Sequence, residues 1–206
     1  ITQESIKHAE DAIKLCSKIN SKFFSFHAGY LIDPQVDELG NKIKKRSINN
    51  RKASKNLFIE RVNKISKLAK DYDVKILIEN NVISQKNFKE FEGNPLLMTE
   101  TLESLEIMKK TDGNVGLLLD VAHLKVSSKT LGFCAEDFID RLSEHTFGYH
   151  LSDNDGVEDS NELILNDSWF WPYIKNDADY YSIEVYNADR HTLKKQLELV
   201  KNKLIK

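Results

Sequence analysis

The chain has 206 residues, 40% hydrophobic and 30% charged, which suits a folded domain with a sizeable core and excludes a disordered chain. Its 30 basic and 32 acidic side chains leave a net charge of -2, so the chain as a whole is no electrostatic magnet for nucleic acid. No stretch approaches the roughly 18 consecutive apolar residues of a membrane span.

The sequence opens on ITQESIKHAEDAIKLCSKI, an amphipathic helix rather than a leader peptide. A domain that begins inside a helix is expected to be N-terminally incomplete. FFSFHAGY (23 to 30) reads as the first strand. A long excursion follows, with Lys42, Lys44, Lys45, Arg46, Arg51 and Lys52 bunched together; we read it as a solvated face, with contact to a phosphate-bearing substrate as the alternative. Helical spacing covers about 52 to 70, then VKILIENN (74 to 81) reads as a strand, about 97 to 110 as a helix and VGLLLDVAH (115 to 123) as a strand. Ser127, Ser128 and Lys129 are taken as a plain loop, and about 135 to 144 as a helix. TFGYHLSD (146 to 153) and YYSIEVYN (180 to 187) are strands, separated by DSWFWPYI, whose Trp169 and Trp171 are expected in a loop folding back on the domain. A last helix spans about 189 to 205. His8, His145 and His191 are expected at the surface or as caps, and Cys16 and Cys134 as core cysteines of a reduced, cytoplasmic protein.

Alternating strands and helices without a flexible linker indicate one domain, residues 1–206, built of βα units around a parallel sheet. Each apolar run carries an ionisable side chain at or just past its C-terminal end: His27, Glu79, Asp120 with His123, His150 with Asp153, and Glu184. In a parallel barrel all strands point the same way, so these ends share one mouth. Three carboxylates gathered there would repel each other and take up protons unless a cation joined them. Glu79, Asp120, His150 and Glu184 offer three oxygen donors and one imidazole nitrogen, a set that fits Mn²⁺, Mg²⁺, Co²⁺ or a catalytic Zn²⁺. Asn80 and Asn81 are candidate supporting or substrate-contacting amides, and a turn or helix start explains them about as well.

In this order and at these spacings, ILIENN, LLLDVAH, YHLSDNDG and SIEV resemble the sugar phosphate isomerase/epimerase superfamily with its xylose isomerase-like TIM barrel, which also contains an apurinic-site endonuclease branch. The resemblance implies a TIM (β/α)8-type barrel lacking its first two strands, with about six βα units present. It implies one divalent metal ion on the four residues above, with Glu79 and Glu184 as acid and base on opposite sides of the substrate. His123 would touch a substrate oxygen, or bind a further metal in the endonuclease branch, where the position of His27 is a ligand as well; in the isomerases His27 lines the pocket. We expect Asn81 and Asp153 among the substrate contacts too. Asp159-Ser160-Asn161 stands where the family often has Asp-x-His, and asparagine is a poor ligand, which counts against a three-metal endonuclease centre.

The expected activity is isomerisation or epimerisation of a sugar, sugar phosphate or related hydroxy-carbonyl compound, by proton abstraction and an enediolate. The alternatives are a metal-dependent phosphodiesterase of the apurinic-site endonuclease type and a non-catalytic barrel that binds a sugar or a partner protein. The expected partner is a small sugar or sugar phosphate, not nucleic acid or a membrane, and homo-oligomerisation is open.

Overall fold

A computed structural model describes residues 2–33, 35 and 44–204, so Lys42 of the basic bunch lies outside the described residues. Helix α1 (Thr2–Lys18) precedes β1 (Phe23–His27), and α2 (Arg51–Lys70) leads into β2 (Lys75–Glu79). Two helices, α3 (Gln85–Glu90) and α4 (Thr101–Lys110), then lie before β3 (Val115–Asp120). Helices α5 (Val121–Leu131) and α6 (Ala135–Leu142) lead to β4 (Thr146–Leu151), followed by β5 (Tyr180–Ile183) and α7 (Arg190–Leu204). The strands form one parallel sheet in the order β1-β2-β3-β4-β5, a half-barrel with helices packed outside it. Every expected strand is present, and α1 precedes the first of them. No helix among the described residues is long and apolar enough to cross a membrane.

Successive strand residues point to opposite faces, and this period of two places the site. Ile76, Ile78, Leu117, Leu119, Tyr149 and Leu151 join the outer core against the helices, where Ile59, Val62, Ile107, Phe138 and Leu142 meet them. Their neighbours Leu77 and Leu118, both fully buried, face the concave side, and so do Glu79 and Asp120, two residues further on. Register completes the arrangement, pairing Glu79 with Leu118, Asp120 with His150 and His150 with Ser182. The sheet curls enough for Phe23 and Tyr180, from its two outermost strands, to bring their rings within 5.5 Å. Inside this curve space is short: a Cβ on Gly148 would stand 2.6 Å from the Tyr180 ring, and one on Gly116 would collide with Phe147.

Three expectations change. Ser127, Ser128 and Lys129 lie in α5 and not in a loop. The helix starts directly at the strand end because the Asp120 carboxylate accepts the His123 N–H at 2.8 Å as its N-cap, and it stops at Gly132 in left-handed conformation (φ 75°). The helix expected from 97 begins at Thr101, since Met98 adopts a positive φ of 57° in a buried loop. Cys134 is exposed at the N-cap of α6 and is no core residue, while Cys16 is half-buried against the core; both are free thiols. His8 and His191 are exposed, and His145 closes a turn of 3₁₀ helix before β4. Trp169 and Trp171 pack against the core, Trp171 donating from Nε1 to the Leu165 carbonyl at 2.8 Å.

Candidate metal centre

One donor atom from each of Glu79, Asp120, His150 and Glu184 lies within 4.8 Å of the others. Glu79 and Asp120 end their strands, His150 sits one residue before the end of β4, and Glu184 follows β5 directly. His150 stands at the centre of the group. Its Nδ1 is 3.2 Å from Glu79 Oε1, 2.8 Å from Glu184 Oε2 and 3.9 Å from Asp120 Oδ2. The Glu184 contact is close but out of line for a hydrogen bond, and Asp120 Oδ2 is buried with no hydrogen-bond partner.

These carboxylates are held where the protein alone does not satisfy them. Burial pushes the Asp120 carboxyl up from 3.8 to about 6, against the pull of His123. Burial works against charged His150, but Glu184 and Glu79 outweigh it and raise the imidazole to about 10. The His150 contact in turn lowers Glu184, against its own burial. His123 is likewise raised to about 10, with Asp120 and Asp159 overcoming its burial. The hard, oxygen-rich donor set fits a divalent ion, which would offset the carboxylate charge gathered here.

The strand ends are locked around this group. Asn80, buried, donates from Nδ2 to the Asp120 carbonyl at 3.0 Å and accepts the Asp120 N–H on Oδ1 at 2.8 Å, extending the pairing of β2 with β3 by one side chain. Asn81 turns away from the site: its amide donates to the carbonyls of Ala28, Gly29 and Leu97 and fixes the loop after β1. Asp153 is also committed elsewhere, accepting from Lys125 Nζ at 2.6 Å and Ser168 Oγ at 2.7 Å. The structure therefore does not bring Asn81 or Asp153 into the cluster.

His27 does adjoin it, exposed at the rim with Nδ1 3.9 Å from Glu79 Oε2. His123 lies inside, its Nδ1 2.8 Å from the Asn80 carbonyl and 3.8 Å from Glu79 Oε1. His27, Glu79 and His123 form a second group whose donor atoms approach one another within 4.8 Å. Asp159, not singled out from the sequence as a site residue, comes to 3.2 Å from His123 Nε2. Asn161 is a buried structural pin that accepts from Ser152 Oγ at 2.7 Å. Of the basic bunch, Lys45 pairs with Glu92 at 2.5 Å and Arg51 with Glu103 at 2.8 Å, as in a solvated and structural face.

The fold agrees with that of known proteins. No curated protein matches the chain significantly. Among solved structures, a D-tagatose 3-epimerase-like protein is 22% identical with a TM-score of 0.64, over 98% of this chain and 72% of that one. D-psicose 3-epimerase from Clostridium cellulolyticum H10, solved with D-tagatose, is 15% identical with a TM-score of 0.67, over 98% and 71%. A xylose isomerase-like TIM barrel protein from Mycobacterium smegmatis, solved in complex with magnesium, is 13% identical with a TM-score of 0.65, over 98% and 68%. At these identities the likeness is one of fold. The family model described as xylose isomerase-like TIM barrel matches residues 1–195, and the chain belongs to that family.

Proposed function

We propose that the chain is a divalent-metal-dependent isomerase or epimerase of a sugar or related hydroxy-carbonyl compound, with Glu79, Asp120, His150 and Glu184 holding one ion. The observation that carries this is the meeting of three carboxylates and one imidazole, at or just past the ends of four neighbouring strands, within 4.8 Å at the C-terminal end of the half-barrel. Support comes from the fold neighbours, which include sugar 3-epimerases, and from relatives solved with magnesium or zinc. A cytoplasmic setting suits the two free thiols.

When bound, the ion would polarise the substrate carbonyl and neighbouring hydroxyl and acidify the C–H beside them. The chain's own groups move the proton. Glu79, from β2, and Glu184, after β5, reach His150 from separate strands, and this separation suits one carboxylate removing a proton and the other returning it. Asp120 serves as ligand only, because its Oδ1 is occupied by the His123 N–H. His27 at the rim and His123 inside are placed to meet substrate oxygens.

The test is hydrogen exchange. Mn²⁺-loaded protein is incubated in D₂O with a panel of ketoses and hydroxy-ketones, and deuterium at the carbon beside the carbonyl is read by NMR. Incorporation should collapse in Glu184→Gln while the melting temperature is kept. Equal incorporation in that variant would remove Glu184 from the reaction, and no incorporation by the wild type into any of the panel would contradict the reading.

A further inference from the structure

We propose that Tyr180 is a positioning residue: its ring spans the concave side of the sheet below the ligand group, ties β5 to β1 and sets the distance between Glu184 and the Glu79 side of the mouth. The proposal deepens the function above and rests on its assignment of the four ligands. Among the described residues β1 and β5 are the outermost strands of the sheet and do not pair with each other, so no backbone ladder fixes how far apart they stand. Yet Glu184, directly after β5, comes within 4.8 Å of Glu79, which ends β2 and pairs in register with His27 of β1. A ligand group held at its working spacing before the ion arrives spares binding the cost of drawing the strands together.

Side chains inside the curve supply this spacing. Tyr180 begins β5 and points to the concave side, as do Phe23 and Ser25, which precede His27 on β1 at the period of two. The Tyr180 and Phe23 rings meet with centroids 5.5 Å apart and planes tilted by 41°, a contact that stabilises beyond its buried area. The Tyr180 hydroxyl is hydrogen-bonded to Ser25, so one side chain of β5 holds β1 at two points. Glu79 is close enough for its charge to act on the same hydroxyl, which places the ring next to the ligand group. The ring can lie across the sheet because Gly148, its partner in register, has no side chain: an added Cβ would stand 2.6 Å from Tyr180 Cε1 and 2.9 Å from Cζ. Beside it, the register of β3 and β4 shifts at Phe147, whose ring turns inward over Gly116, with Lys75 Nζ 3.6 Å from the ring centre. Of the rings that fill the curve, Tyr180 is the one seen to bridge the two edges of the sheet.

The test measures the Mn²⁺ affinity of the whole chain by calorimetry, at a temperature where circular dichroism shows every variant folded. Tyr180→Ala should weaken Mn²⁺ binding about 10-fold, as loss of a supporting contact typically does. Tyr180→Phe, which keeps the ring on Phe23 and gives up only the hydroxyl, should recover most of that loss. Gly148→Ala pushes the ring off its bed and should weaken binding on its own, yet add nothing in Tyr180→Ala, where no ring is left to move. Val62→Ala loosens the outer core away from the concave side, shows what general destabilisation does, and should leave affinity within about twofold. Should Tyr180→Ala not fold, Tyr180→Leu, too short to reach Phe23 or Ser25, is read in the same way. Wild-type affinity in Tyr180→Ala, an equal loss in Val62→Ala, or a Gly148→Ala effect that persists without the ring would overturn the proposal. A wild type that takes up no Mn²⁺ counts against the ligand group and the function built on it. Tyr180 is then judged in the metal-free chain: exchange of the β5 amide hydrogens should speed up several-fold in Tyr180→Ala and stay near wild type in Tyr180→Phe, and equal exchange in all three would overturn its role.

Discussion

Asp120→Asn separates the stability of the metal-free fold from its capacity for metal. Asp120 is fully buried, and its carboxyl is raised from 3.8 to about 6 by desolvation. A raised carboxyl pKa means that folding disfavours the charged form, so the penalty is absent below the unfolded value and grows as pH rises through the folded one. At neutral pH a shift of about two pKa units corresponds to about 3 kcal/mol. Asparagine removes the charge and keeps the Oδ1 that accepts the His123 N–H. The gain is reduced because His123 loses a carboxylate that helps hold its charge. We expect the metal-free variant to be more stable by about 1–3 kcal/mol, which for a chain of this size raises the melting temperature by about 2–4 °C per kcal/mol. In differential scanning fluorimetry the wild type should gain stability with Mn²⁺ and the variant should not. A variant that melts below the wild type without metal, or that still responds to Mn²⁺, would refute the reasoning.

Metal binding should be proton-linked. With His150 raised to about 10 in the metal-free protein, an ion entering at pH 7 must displace its proton, so affinity rises with pH and calorimetry in buffers of different ionisation enthalpy should show proton release; pH-independent affinity would contradict this. Asn80→Ala leaves the buried N–H of Asp120 unpaired and removes one of the two donors to its carbonyl, and chemical denaturation should show a loss of about 1–3 kcal/mol together with weaker Mn²⁺ binding. Gly116→Ala sets a methyl group against Phe147 and Leu77 inside the curve of the sheet, and should destabilise by about 1–3 kcal/mol in the same assay.

What could be read from the sequence followed from local periodicity. Three leucines before Asp120 announced a buried strand with a charged end, and the same pattern at Glu79, His150 and Glu184 brought out the group that the sheet gathers. Helix α5 was hidden because VAH continues the apolar run of β3 without a breaking residue, and only the capping bond from Asp120 marks the change. Asp153 looked like part of the mouth because it follows His150 closely; Lys125, 28 residues earlier in sequence, claims its carboxylate. Asp159 could not be found by periodicity, since a lysine pair on α5 and a left-handed Asn161 decide where its loop runs. Its one sequence signal is its place in Asp159-Ser160-Asn161, where asparagine stands in the position of a histidine.

The most direct test of the central claim is anomalous diffraction from crystals of the chain grown with Mn²⁺. The account predicts a single strong peak in contact with Glu79, Asp120, His150 and Glu184, at ordinary ligand distances of about 2.0–2.3 Å. No peak there, or one that engages His27 and His123 in place of Asp120 and His150, would contradict it.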